Sequence, residues 1–150
     1  MIAMLRTALV LLATAGLSAA QEGGRGEPGH RLPQGPHVDW MPTGDGVVLA
    51  PGGVYEVQAG GRMPFVIGTD QSAGQAYLFA MLAPPRGPIA LDLAYAALVF
   101  TAPANSHLAI PGSVFIDPAL TGLMVVGRAY LKTPEGAVYA SEDVLVRFVA

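Results

Sequence analysis

Apolar and polar residues alternate at period two along the last part of the chain. Leu123, Val125, Gly127, Ala129 and Leu131 fall on one side, and Met124, Val126, Arg128, Tyr130 and Lys132 on the other. Successive side chains of a strand point to opposite faces, so this pattern predicts one long strand. Thr133-Pro134-Glu135-Gly136 reads as a turn, because Pro pre-sets the backbone at the second position and Gly tolerates the positive φ needed to leave it. A strand then returns. With a four-residue loop, Lys132 meets Ala137, Tyr130 meets Tyr139, Val125 meets Val144 and Leu123 meets Val146. One face of this hairpin is apolar as far as Phe148, and the other carries Arg128, Tyr130, Lys132, Tyr139, Ser141, Asp143 and Arg147. That is an antiparallel pair with one packed face and one wet face. Glu142 breaks the pattern by landing on the apolar face opposite Gly127, which predicts a bulge, a bend or a rim position there.

The same texture of short apolar runs begins at Gly46. Candidate strands are Val47–Ala50, Val54–Ala59, Phe65–Gly68, Gln75–Ala83, Ile89–Leu93, Leu98–Ala102, His107–Ile110, Leu123–Lys132, Ala137–Ala140 and Asp143–Val149. Breaks such as Pro51-Gly52-Gly53, Gly60-Gly61-Arg62 and Pro84-Pro85-Arg86-Gly87-Pro88 recur about every ten residues, the spacing of sandwiches and barrels. No helical period runs beyond residue 20, apart from one turn at Asp117-Pro118-Ala119-Leu120-Thr121, where Asp117 caps, Pro118 fits the first helical position and Gly122 ends the turn. The fold expected is all-β: an antiparallel β-sandwich of about 8–9 strands, immunoglobulin-like or jelly-roll, over residues 45–150. Two runs, Ala76–Ala83 and Ala94–Ala102, are apolar on both faces. A central strand covered on both sides explains them most simply, and an exposed patch that meets a partner is the sharper alternative.

The N-terminal part differs. Residues 1–20 have the form of a secretory signal peptide: Arg6 supplies the positive region, Ala8–Ala15 the apolar one, and Ser18-Ala19-Ala20 small residues before a cut. The apolar run is shorter than the ~20 residues a spanning helix needs. Residues 21–44 hold six Gly and four Pro and almost no aliphatic side chains, which predicts a flexible or extended linker. His30, His37 and Asp39 lie in it and offer imidazole and carboxylate to zinc or copper, although a plain tether accounts for them as well. Trp40-Met41 marks the point where the chain meets the domain.

Composition narrows the function. The net charge is −3, or −4 without Arg6, and no basic stripe exists, so nucleic acid is not expected as a partner. Cysteine is absent, which removes disulfides, thiolate nucleophiles and thiolate-bound metal. One Lys against seven Arg, with abundant Ala, Gly and Pro, suggests a GC-rich coding genome.

Phe65-Val66-Ile67-Gly68, Tyr77-Leu78-Phe79-Ala80, Ile110-Pro111-Gly112 and Asp117-Pro118-Ala119-Leu120-Thr121-Gly122 precede the closing hairpin. This combination is similar to uncharacterised secreted β-sandwich modules of GC-rich bacteria. In those a one-turn Pro-Ala-Leu-x-Gly step introduces a penultimate strand and a Ser-Asn-type kink precedes the closing one. Here Ser141-Glu142 stands at the kink and departs from that pattern at one residue. The resemblance spans roughly residues 46–149. It implies an immunoglobulin-like sandwich and an exported location, and it brings no activity and no functional residues.

No catalytic set is legible. There is no Gly-x-Ser-x-Gly elbow, and the one histidine outside the linker, His107, has only Asp92 or Asp117 as conceivable orienting groups. Glu56 and Asp92 suit solvent-facing strand positions better than a glycosidase pair, and Glu142-Asp143 point to opposite faces. The expectation is a non-enzymatic module without cofactor or metal, secreted or periplasmic, with a structural or protein-interaction role at the envelope or outside the cell. The alternative is a carbohydrate-binding module that uses Tyr130 and Tyr139 as a cross-strand pair on the wet face beside Arg128. Partners would be an envelope protein or a polysaccharide.

Overall fold

A computed structural model describes residues 37–71, 73–104 and 109–150. Two sheets build the fold. The smaller has three strands in the order β1-β4-β7: β1 (Val38–Pro42), β4 (Arg62–Thr69) and β7 (Ile110–Phe115). The larger runs β2-β3-β10-β8-β5-β6, with β9 also on β8: β2 (Val48–Ala50), β3 (Val54–Gln58), β5 (Gln75–Leu82), β6 (Ala97–Pro103), β8 (Met124–Lys132), β9 (Val138–Ala140) and β10 (Val144–Val149). All pairs are antiparallel except β3 with β10. The chain is thus an all-β sandwich, with ten strands among the described residues where about 8–9 were expected. The only helical element among the described residues is the 3-10 turn Pro118–Leu120, where the Asp117 carboxylate accepts from Ala119 N–H at 2.8 Å.

Inward residues of both sheets alternate with outward ones, and the inner layer is the main core. Val38, Trp40, Met63, Phe65, Ile67 and Ile110 from the small sheet meet Val57, Ala76, Leu78, Ala129, Leu131, Val146 and Phe148 from the large one. Trp40 joins the sheets. Its indole lies over Gly127, where a Cβ would sit 2.5 Å from the ring, and its Nε1–H donates to the Gly127 carbonyl at 3.1 Å. A residue with no side chain is what lets the ring approach the strand so closely.

The domain therefore starts earlier than residue 45. The linker expected through Gly44 ends before β1, because Val38, Trp40 and Pro42 alternate inward with Asp39 and Met41. Five residues of period two within a Gly/Pro-rich stretch suffice once a neighbouring strand supplies hydrogen bonds. Residues 1–36, with the expected signal peptide and His30, lie outside the described residues, as does His107. Ile89–Leu93, expected as a strand, is irregular chain. The strand expected at His107–Ile110 begins at Ile110 and runs on to Phe115, tolerating Pro111 because β7 is an edge.

The closing hairpin differs in register. Thr133 and Ala137 close it: Thr133 N–H donates to the Ala137 carbonyl at 2.8 Å, and Ala137 N–H donates to Thr133 Oγ1 at 3.2 Å. Pro134-Glu135-Gly136 is left as a three-residue loop with Gly136 at φ +92°. The slip by one residue pairs Leu131 with Tyr139 and Tyr130 with Ala140, so Tyr130 and Tyr139 fall on opposite faces. A second slip at Ser141-Glu142-Asp143 pairs Val144 with Gly127 and Val146 with Val125, returning Val144, Val146 and Phe148 to the inner face. Ser141 bridges the irregularity. Its N–H donates to the Ala129 carbonyl at 2.8 Å, its Oγ accepts from Ala129 N–H at 2.9 Å, and the hydroxyl donates to the Glu142 carbonyl at 2.8 Å. Glu142 bulges out and is exposed.

Candidate functional site

Three residues were singled out from the sequence as a contact surface, and they occupy different places. Tyr130 is 2% exposed on the outer face of the large sheet and meets Phe79 edge to face at 5.6 Å. Tyr139 packs from the inner face against the main core. The expected tyrosine pair does not form, because the three-residue loop moved one partner by one position. Arg128 does lie beside Tyr130, its Nη1 donating to the Tyr130 hydroxyl at 3.1 Å. Both nitrogens of its fork side, Nε at 2.6 Å and Nη2 at 3.0 Å, donate to Asp143. Half-burial opposes the guanidinium charge, but the bonds from Asp143 and Tyr130 outweigh it and hold Arg128 above its ordinary pKa. Arg128 is thus a fixed structural cation.

What Arg128 and Asp143 hold is a strap. Residues 83–96 run from β5 to β6 across the outer face of the large sheet. Leu91 N–H donates to Asp143 Oδ2 at 3.0 Å, Asp92 N–H donates to Met81 Sδ at 3.1 Å, and Ala83 N–H donates to the Met124 carbonyl at 2.8 Å. Leu91 and Ala96 sit on Phe79, Val126, Tyr130 and Val138, making a second apolar layer. The doubly apolar β5 is therefore a strand covered on both sides. The run Ala94–Ala102 differs: β6 is an edge strand, and only alternate residues are sheltered.

The outer face of the small sheet has no such cover among the described residues. Met41, Val66 and Pro111 form one row across β1, β4 and β7. Pro64 pairs with Ser113 in the next row, and Arg62 with Phe115 beyond it. Met41 is 44% exposed and Phe115 56%. One end carries Arg62, whose Nε donates to Ser113 Oγ at 2.9 Å and Nη2 to the Ser113 carbonyl at 3.2 Å. The other end is acidic. Asp70 accepts from His37 N–H at 2.8 Å and from Gln71 Nε2 at 3.2 Å, and Asp39 lies 3.1 Å from His37 Nε2. Slight burial raises the Asp70 pKa, but its hydrogen bonds and the nearby His37 outweigh that and lower it.

Other candidates have local duties. Asp92 accepts from Ala94 N–H at 2.9 Å, Asp117 caps its turn, and Glu56 lies 3.9 Å from Arg147. Among the described residues no three His, Asp or Glu side chains gather as a metal set. A cleft of about 500 Å³ opens between the β1–β2 loop and the β3–β4 hairpin, with Val57 and Met63 below and Asp45, Gln58 and Arg62 along its walls. Among the described residues no helix is long and apolar enough to cross a membrane.

No family model matches the chain, and no curated protein matches it. Two solved structures are partly similar. One is a polysaccharide monooxygenase CBM33, 9% identical over 62% of this chain and 58% of that one, with a TM-score of 0.46. The other is a chain from a structure of T cell specificity and activation by the bacterial superantigen toxic shock syndrome toxin-1. It is 10% identical over 77% of this chain and all of that one, with a TM-score of 0.47. At these values neither likeness bears on ligand or activity.

Proposed function

We propose that this chain is an exported, non-catalytic β-sandwich module that works by protein contact at the envelope or outside the cell, and that the outer face of the small sheet is its contact surface. The observation that carries this reading is the row Met41, Val66 and Pro111 on the sheet face, with Met41, Pro111 and nearby Phe115 exposed and Val66 half-buried between them. A solvated sheet face ordinarily alternates to polar residues, and contiguous exposed apolar side chains mark interaction surfaces. The sequence form of residues 1–20 supports export. Asp92, Asp117, Asp143 and Glu56 are taken up by a turn, a cap and two ion pairs, which favours a module without catalysis. The carbohydrate-binding alternative through Tyr130 and Tyr139 has no shared face to rest on.

The test is retention of envelope proteins on the immobilised mature chain, compared with Val66→Asp. The reading expects a bound protein that the variant loses while keeping its β-sheet circular dichroism. Equal retention by both chains would contradict the chosen face. Release of the same product from an envelope substrate by catalytic amounts of the chain would contradict the non-catalytic reading.

A further inference from the structure

Resting on that contact surface, we propose that its occupant is a second copy of this chain, stacked sheet to sheet about a two-fold axis that crosses β4 at Val66, with Arg62 of each copy on Asp70 of the other.

The argument begins with the spacing on β4. Phe65 and Ile67 point inward at 1% and 0% exposure, so Arg62, Pro64, Val66 and Gly68 point outward, and Asp70, just past the strand end, is exposed with its carboxylate on the His37 N–H at the acidic end of this face. The cation and the carboxylate each stand four residues from Val66, or about 13 Å at strand rise. Antiparallel stacking of this strand on its own copy therefore superposes each charge on its opposite. Neighbouring rows follow the same symmetry. Met41 and Pro111 share the Val66 row, so all three lie along the axis and meet their counterparts. A two-fold interface is built from one patch that must be complementary to itself, and this patch is.

Charge also selects the orientation. A two-fold axis parallel to the strands would set Arg62 against Arg62 and Asp70 against Asp70. The axis across the strands makes two opposite-charge contacts instead, and Asp39 adds to the acidic end. Neither Arg62 nor Asp70 has an ion-pair partner among the described residues; their neighbours Ser113, His37 and Gln71 hold them by hydrogen bonds alone. The segment between the expected cleavage site and β1 is a poor rival. Residues 21–36 include one aliphatic side chain, Leu32, and no aromatic one, so they offer little to an apolar row.

Area sets the strength. Strands of five, eight and six residues cover roughly 300 Å² per copy, or about 600 Å² in total, below the ~1,200 Å² at which stable complexes begin. The dimer is accordingly weak and concentration-dependent.

Sedimentation velocity of the mature chain from about 10 µM to about 1 mM decides this, using wild type, Arg62→Asp, Asp70→Arg and the double exchange. The proposal expects a concentration-dependent dimer in wild type, association weakened about tenfold or more in each single variant, and recovery in the double exchange. Circular dichroism confirms that each variant is folded. A wild type that stays monomeric throughout overturns the proposal. So does a folded double exchange no stronger than the singles. The failures are separable: a monomeric wild type that still retains an envelope protein through Val66 leaves the contact surface standing and removes only the second copy as its occupant.

Discussion

The sandwich has two outer faces, and both are apolar at their centre. On the large sheet, Phe79, Val126, Tyr130 and Val138 are sealed under the chain's own strap, which Asp143 fastens through Leu91 and Arg128. On the small sheet, Met41, Pro111 and Phe115 stay open around a half-buried Val66, and Arg62 and Asp70 beside them have no ion-pair partner among the described residues. The contrast separates what holds the fold from what is left for a partner. Similar side chains on two faces of one molecule contribute to stability in one case and to recognition in the other, and the difference lies in whether a connection crosses above them.

Substitutions can break this contrast. The largest effect is expected from Asp143→Ala, which leaves the Arg128 guanidinium partly buried without its carboxylate and frees the strap at Leu91. The loss should be about 2–3 kcal/mol in urea unfolding, reduced from the cost of a fully buried pair by the remaining solvent exposure. Leu91→Ala comes next. Its side chain is 6% exposed, and removing it should cost about 2 kcal/mol by the same measurement, with more dye binding to the uncovered aromatics. Phe115→Ala, on the open face, should change stability by no more than about 0.5 kcal/mol while weakening association. If Leu91→Ala and Phe115→Ala proved equally costly, the two faces would not differ in the way described.

The smallest effect concerns acid. The folded-state pKa of Asp70 is lowered, so its contribution is present above the ordinary carboxylate pKa and is lost as pH falls through the folded value. As pH falls through that lowered value, under the ordinary carboxylate range, the His37 N–H loses its carboxylate acceptor, and its amide should exchange faster than those of mid-β1. Asp70→Asn should remove that pH dependence with little change in melting temperature.

Much of the fold was legible in the sequence, because period-two alternation and Gly/Pro breaks are local signals. The inner face of β8, the Asp117 cap and an irregularity at Glu142 were all readable from residue types and spacing. Register was harder to read. A loop of three rather than four residues turned Tyr139 inward, and nothing in Thr133-Pro134-Glu135-Gly136 alone decides between those lengths. The strap was mistaken for a strand because Ile89–Leu93 has a strand's composition, whereas its pairing partners are a matter of tertiary placement. The open face was missed for a similar reason. Met41, Val66 and Pro111 are distant in sequence, and β1 lies in a stretch whose Gly and Pro content reads as linker. A signal existed in the alternation of Val38 to Pro42, but it spans only five residues.

Methionine oxidation compares the two faces most directly, because each carries a reporter. Met41 stands on the open face at 44% exposure, and Met81 lies under the strap with its sulfur accepting from Asp92 N–H. Peroxide oxidation followed by peptide mass spectrometry should find Met41 reactive in dilute protein and increasingly protected as concentration rises. Met81 should react slowly and at the same rate at every concentration. Met41 oxidising at one rate throughout, or Met81 oxidising as fast as Met41, would contradict the account of one sealed face and one left for a partner.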